Sequence, residues 1–189
     1  MFGGYNLTMY KILTVEDVIR VPPEKIGLNV KDAIKASIEE KYECLFDPKI
    51  GMILSCISVD NVGEGKIMAN DPGIFYRATF RLLVFKPELH ELVFGEVIDN
   101  AEFGSFIRLG PLDGLVHISQ LMDDYVSFDS KSSTFIGKTT KKSLKEKDLV
   151  RARIISISFA EQTKIGLTMR QPGLGSLVWI EQEKRKKGK

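Results

Sequence analysis

Histidine and cysteine are scarce in this chain of 189 residues, with two of each: His90, His117, Cys44 and Cys56. The cysteines lie far apart, and neither histidine belongs to an HExxH or paired CxxC pattern, so a metal would find no ligand set. The cysteine content also supplies no disulfide framework, and a reducing, cytoplasmic compartment is the expectation. No stretch approaches the roughly 20 apolar residues needed to span a bilayer, and no basic segment followed by a long apolar run opens the chain. Charge of one sign is missing too: 27 basic side chains against 25 acidic give a net +2, too little to announce nucleic-acid binding by itself. The glycines compose neither GxGxxG nor the phosphate-cradling GxxxxGK, and Gly104, Gly110 and Gly114 precede no helix that would receive a phosphate. Asp123 and Asp124 are adjacent and diverge on any regular element. Catalysis is therefore poorly supplied, and neither a metal nor a cofactor is expected.

Hydrophobic residues make up 43% of the chain and charged residues 28%, enough apolar material for one ordinary domain or two small ones. The opening MFGGYNLT carries no functional signal. MYKILTVEDVIRV then reads as a strand, ended by Pro22 and Pro23, which have no N–H to donate to a ladder. Asn29 is placed to cap a helix whose apolar positions Val30, Ile34, Ile38, Tyr42 and Leu45 recur at three- and four-residue spacing before Pro48. GMILSCISVDNVGEGKIMAN reads as strand, turn and strand, with Gly63 and Gly65 at the reversal, and YRATFRLLVFK as a further strand. A helix against a small antiparallel sheet results.

A polar join from Glu88 to Leu92 follows Pro87, and the pattern changes. Short strands fall at Gly95–Asn100, Ser105–Leu109, Leu115–Ile118, Val150–Ile157 and Ile165–Met169, which points to a small closed barrel. The connection from Leu121 to Leu149 is long for a barrel and runs from acidic to basic; such lengths carry a function or a partner contact, or stay mobile. Leu174, Leu177, Val178 and Trp179 form an apolar group able to dock on the barrel or on another subunit.

Within the barrel half, AEFGSFIRLGPLDGLVHISQ, from Ala101 to Gln120, concentrates planar side chains. Strand alternation sends Ser105, Ile107 and Leu109 one way and Phe106 and Arg108 the other. A ring and a guanidinium on one face suit a stacked base and a phosphate, with Phe103 extending the platform and His117 adding a third planar group. Against this stand plainer roles: a phenylalanine is often barrel core, a strand arginine is often merely solvated, and His117 between Val116 and Ile118 fits a core or edge position. The run Lys138–Arg153 carries seven basic and two acidic side chains, and the chain closes on EKRKKGK. Beside an aromatic face these would attract a phosphate backbone without sequence preference; otherwise they are a solvated loop and a solubilising tail.

FGSFIRLGPLDGLVHISQL resembles the RNA-binding OB-fold repeat of the ribosomal protein S-one type. Together with MYKILTVEDVIRVPP, GEGKI, GPLDGLVHISQLMDDY and IGLTMRQPGLGSLVWI, it makes the chain from Met9 to about Glu183 similar to the E prime family of archaeal RNA polymerase stalk subunits. That family is the counterpart of the seventh-largest subunit of eukaryotic RNA polymerase II. The resemblance implies an α+β, truncated ribonucleoprotein-like domain at 9–87 that docks on the polymerase. An all-β five-stranded OB-fold barrel at 92–180 and a basic tail at 181–189 complete the expected organisation. It further implies a non-catalytic stalk role: pairing in a heterodimer with the smaller, F-type stalk subunit, contact with the polymerase core, binding of nascent single-stranded RNA, and support of initiation and processivity, with no membrane partner. The family's RNA-facing positions fall at Phe103, Phe106 and His117, with Arg108, Lys164 and Arg153 as further candidates. Its acidic position falls at Ser158 and its arginine at Lys164, departures that imply weak, sequence-tolerant binding. A free translation or RNA-decay factor that uses the same barrel is the alternative.

Overall fold

The computed structural model describes residues 9–43, 45–47, 49–158 and 164–187, and the chain divides into two compact units, residues 1–87 and 88–189. The opening octapeptide and most of FAEQTK lie outside the described residues.

In the first unit, β1 (Tyr10–Val21), β2 (Phe46–Asp47), β3 (Gly51–Ile67) and β4 (Ile74–Phe85) form an antiparallel sheet in the order β1-β4-β3-β2. Helix α1 (Val30–Tyr42) covers one face, and the Asn29 side chain accepts the Lys31 N–H at its start. Alternation along β1 turns Leu13, Val15, Ile19 and Val21 inward, where they meet Ile34, Ile38, Phe80 and Leu82 in one core. The stripe that α1 buries is Ala33, Ile34, Ser37 and Ile38. Val30 and Leu45, expected on that stripe, are 46% and 49% exposed. Val30 is the first helical residue and Leu45 lies beyond the C-cap Glu43, where its carbonyl accepts the Ile53 N–H of β3 at 2.9 Å, so neither side chain joins the buried stripe. Asp17 fastens helix to sheet by accepting from Lys41 Nζ at 2.8 Å and from the Tyr42 hydroxyl. Burial opposes its charge, yet these bonds outweigh it and hold the Asp17 carboxyl below its usual range.

The hairpin expected at Gly63 and Gly65 is absent. β3 runs unbroken for 17 residues and pairs with β4 throughout, absorbing four register shifts, the last between Val62 and Gly65. The glycines serve this irregularity: a Cβ on Gly65 would lie 2.8 Å from both Ile74 and Tyr76. The chain reverses later, through Met68–Gly73, where Asn70 takes a left-handed φ of 69°.

The second unit contains the strands expected for a barrel: β5 (Leu92–Ala101), β6 (Gly104–Arg108) and β7 (Asp113–His117), then β11 (Leu149–Ser158) and β12 (Lys164–Thr168). β5, β6 and β7 form a meander, β12 lies parallel to β7, and β11 pairs with both β12 and β5, which closes the cylinder. This is the five-stranded OB-type barrel. Inward positions Val97, Ile107, Val116, Ala152, Ile154, Ile165 and Leu167 fill it, each at most 1% exposed.

The long connection carries structure of its own. β8 (Val126–Asp129), β9 (Thr134–Gly137) and β10 (Ser143–Leu144) form a small sheet with Phe135 and Leu144 fully buried. Asp124 organises its start by accepting the backbone N–H groups of Tyr125, Thr139 and Thr140 and the Thr140 hydroxyl. The Thr140 amide is the largest cause, and burial only partly counters it, so Asp124 titrates far below an ordinary carboxylate. β13 (Gly175–Ser176) leads into α2 (Leu177–Lys187). Trp179 and Ile180 bury against the unit and the indole donates to Ser143 O at 3.1 Å, whereas Val178 points outward at 57% exposure. Residues 181–187, expected as the start of a basic tail, continue this helix.

Candidate nucleic-acid interface

Cross-strand register sorts the outer face of the barrel into three rows. Nearest the first turn, Gly104 pairs with His117; next, Asp99, Phe106 and Leu115 lie side by side, followed by Gly166 on β12. The third row runs Glu96, Arg108, Asp113 and, one residue before the Ile165–Gly114 pair, Lys164. Phe103 stands in the turn at the head of the first row, where its carbonyl accepts the Ile118 N–H at 2.9 Å.

The aromatic groups meet as alternation requires. Ser105 and Ile107 are buried, while Phe106 is half-buried and Phe103 is 51% exposed. Their rings pack edge to face, centroids 5.9 Å apart at 90°, so Phe106 props Phe103 and leaves ring surface open to solvent. His117 is exposed beside them, and its Nδ1 accepts the Ser119 N–H and lies 2.9 Å from Ser119 Oγ. That acceptance puts the proton of the neutral ring on Nε2, a donor for a base edge or a phosphate. Gly104 is required opposite it, because a Cβ there would collide with the Val116 carbonyl oxygen.

The basic candidates are dispersed. Arg108 is exposed and 3.8 Å from Asp113, a long and weak contact, with Glu96 on its other flank. Lys164 is exposed in the same row, four residues from the His117 level, or roughly 13 Å along the strand. Ser158 pairs with Lys164. Arg153 lies on β11 between Leu92 and Thr168, away from β6 and β7, with its Nε enclosed and unpaired. In the basic run, Lys142 is bound to Glu183 at 2.6 Å and lies over the Trp179 ring, and Arg151 donates to Gly173 O and lies over Phe94. Lys138, Lys141, Lys145 and Lys147 are exposed. Sequence reasoning missed Tyr125, which is 81% exposed. The only signal was an aromatic at the rim of a charged connection. Among the described residues no His, Cys, Asp and Glu gather into a metal-binding group.

Residues 16–72 match the family model of the SHS2 domain found in the N terminus of Rpb7p/Rpc25p/MJ0397, and residues 86–158 match the S1 RNA binding domain. The chain is 37% identical to DNA-directed RNA polymerase subunit Rpo7 of Sulfolobus acidocaldarius, over 96% of this chain and 100% of that protein. It is 24% identical to DNA-directed RNA polymerase II subunit rpb7 of Dictyostelium discoideum, over 77% of this chain and 86% of the other. The likeness to Ribonuclease R of Buchnera aphidicola is local: 36% identity over 43% of this chain and 11% of that protein.

Proposed function

The chain belongs to the Rpo7 family of RNA polymerase stalk subunits and is non-catalytic, and on that premise we propose that its barrel holds nascent single-stranded RNA on Phe103, Phe106 and His117. The observation that carries this reading is the propped pair of phenylalanines beside an exposed histidine on strands two and three of the barrel, the face that OB folds use for oligonucleotides. Bases stack on the rings, the imidazole donates from Nε2, and Arg108 and Lys164 offer charge to phosphates farther along. The first unit docks on the polymerase core and the smaller, F-type stalk subunit completes a heterodimer, so that RNA leaving the enzyme passes the barrel and initiation and processivity benefit. The polymerase-docking, barrel and tail roles of 9–87, 92–180 and 181–189 belong to the same reading.

Titration of fluorescent single-stranded RNA with the full chain tests the face. Phe106→Ala combined with His117→Ala weakens binding roughly tenfold or more, in line with stacking losses of about 1–3 kcal/mol per base, while circular dichroism is unchanged. Equal affinity of variant and parent at low and moderate salt would falsify the assignment. The local likeness to a ribonuclease keeps a free translation or decay factor as a second reading. Co-purification separates the two: recovery with polymerase core and a small partner supports the stalk role, and stable recovery with ribosomes alone rejects it.

A further inference from the structure

We propose that Tyr125 and Lys138 form a second RNA subsite, which takes the strand onward from the Phe103 and His117 end of the barrel onto the small sheet of the long connection. The proposal rests on the RNA reading of the aromatic face. Tyr125 is the most exposed of the large apolar side chains among the described residues, at 81%. Its backbone is nevertheless fixed from both sides: its N–H donates to Asp124 at 2.7 Å, and its carbonyl accepts the Lys138 N–H at 2.8 Å. The second of these bonds continues the β8–β9 register by one pair beyond Val126–Gly137. Tyr125 and Lys138 are therefore cross-strand neighbours with their side chains on one face, a ring and a cation held together on a rigid support. Stacking and phosphate attraction need that combination.

A groove lined by Tyr125 links its ring to the barrel face. It has a volume of about 630 Å³ and is lined by Ile118, Ser119, Tyr125, Val126 and Arg170. Ile118 is bonded to the Phe103 carbonyl and Ser119 to His117, so the groove begins where the aromatic face ends. Two carboxylates line it as well, and neither repels a phosphate at full strength. Asp123 faces Arg170 at 2.9 Å, and Asp124 is saturated by three backbone N–H groups and a hydroxyl. The continuity of the groove with the aromatic face, and the Tyr125 ring with Lys138 beside it, favour single-stranded RNA as the occupant.

Two labelled oligouridines, of about four and about twelve nucleotides, separate the subsites in binding titrations with the full chain. Tyr125→Ala is expected to weaken the long oligomer roughly tenfold and to leave the short one unchanged, and Tyr125→Phe keeps the parent affinity for both. Lys138→Ala is expected to reduce the salt slope for the long oligomer alone, by about 0.7. If Tyr125→Ala spares the long oligomer although Phe106→Ala weakens both lengths, the second subsite is overturned and the primary face stands. Equal loss on both lengths also overturns it, because Tyr125 would then belong to the primary face. If Phe106→Ala changes neither length, the primary face fails and the extension falls with it.

Discussion

Among the described residues strand β1 pairs only with β4, so its twelve residues form an edge of the first unit's sheet, whereas β11 closes the second unit's barrel against both β5 and β12. The first sheet has α1 on one face; on the other, Ile12 and Val18 are exposed among Thr14, Glu16 and Arg20. An edge and a mixed apolar face can be read by another protein through backbone bonds and burial. A closed barrel has no backbone left to offer and recognises through side chains alone, which suits a ligand made of rings and phosphates. One chain thus presents two kinds of surface, an open sheet edge and a closed wall of side chains.

Substitutions that strike one unit sharpen this contrast. The largest effect is expected from Phe80→Ala, which empties a fully buried position under α1 and costs about 3–5 kcal/mol in denaturant unfolding. Hydrogen exchange should locate the loss in β1, β3 and β4, and protection lost equally in β6 and β7 would break the comparison. Gly104→Ala forces a methyl group against the Val116 carbonyl and is expected to cost about 1–3 kcal/mol in the barrel, with RNA affinity falling as β6 and β7 part. Lys142→Ala removes the Glu183 pair and the contact over Trp179, and about 1 kcal/mol is expected, read as faster exchange in α2 and β10.

Arg108→Ala leaves stability within about 0.5 kcal/mol, because its contact to Asp113 is long and exposed, and lowers the salt slope of RNA binding by about 0.7. The last contrast is a response to pH and belongs to Asp124: near neutral pH it is flat, since the carboxylate is ionised in folded and unfolded chains alike. Its folded value is depressed, so its contribution is full above the unfolded value of about 4 and is lost as pH falls below it. Protection of the Thr139 and Thr140 amides, taken relative to their intrinsic exchange rate at each pH, should therefore fall in acid, and Asp124→Asn should abolish that pH dependence.

The barrel strands were legible because a residue buried on one face and wet on the other writes a period of two, as Ser105, Phe106, Ile107 and Arg108 do. β3 was not, because its bulges break that period and make Gly63 and Gly65 look like a turn. Strands of two to four residues in the connection carry too little pattern to be seen, and part of their support comes from Trp179, far along the chain. The aromatic members of the site followed from alternation on a single strand. The dispersal of its cations did not, because register between strands decides it: Arg108 is flanked by acids from β5 and β7, Lys164 enters four residues away from His117, and Arg151 and Lys142 are spent on neighbours. Tyr125 escaped notice because the exposure of one ring leaves no periodic trace.

The row Glu96, Arg108, Asp113, Lys164 alternates in sign across four strands, and its consequence is one of tempo. On the proposed role, a strand drawn past the barrel by an advancing enzyme would be caught and let go many times. Charges that cancel along the row would give the phosphates no deep well, so each nucleotide's stay would be set by the short life of a stacked ring. Replacing the two acids by neutral groups would tighten the grip and lengthen every pause, turning a guide into a brake.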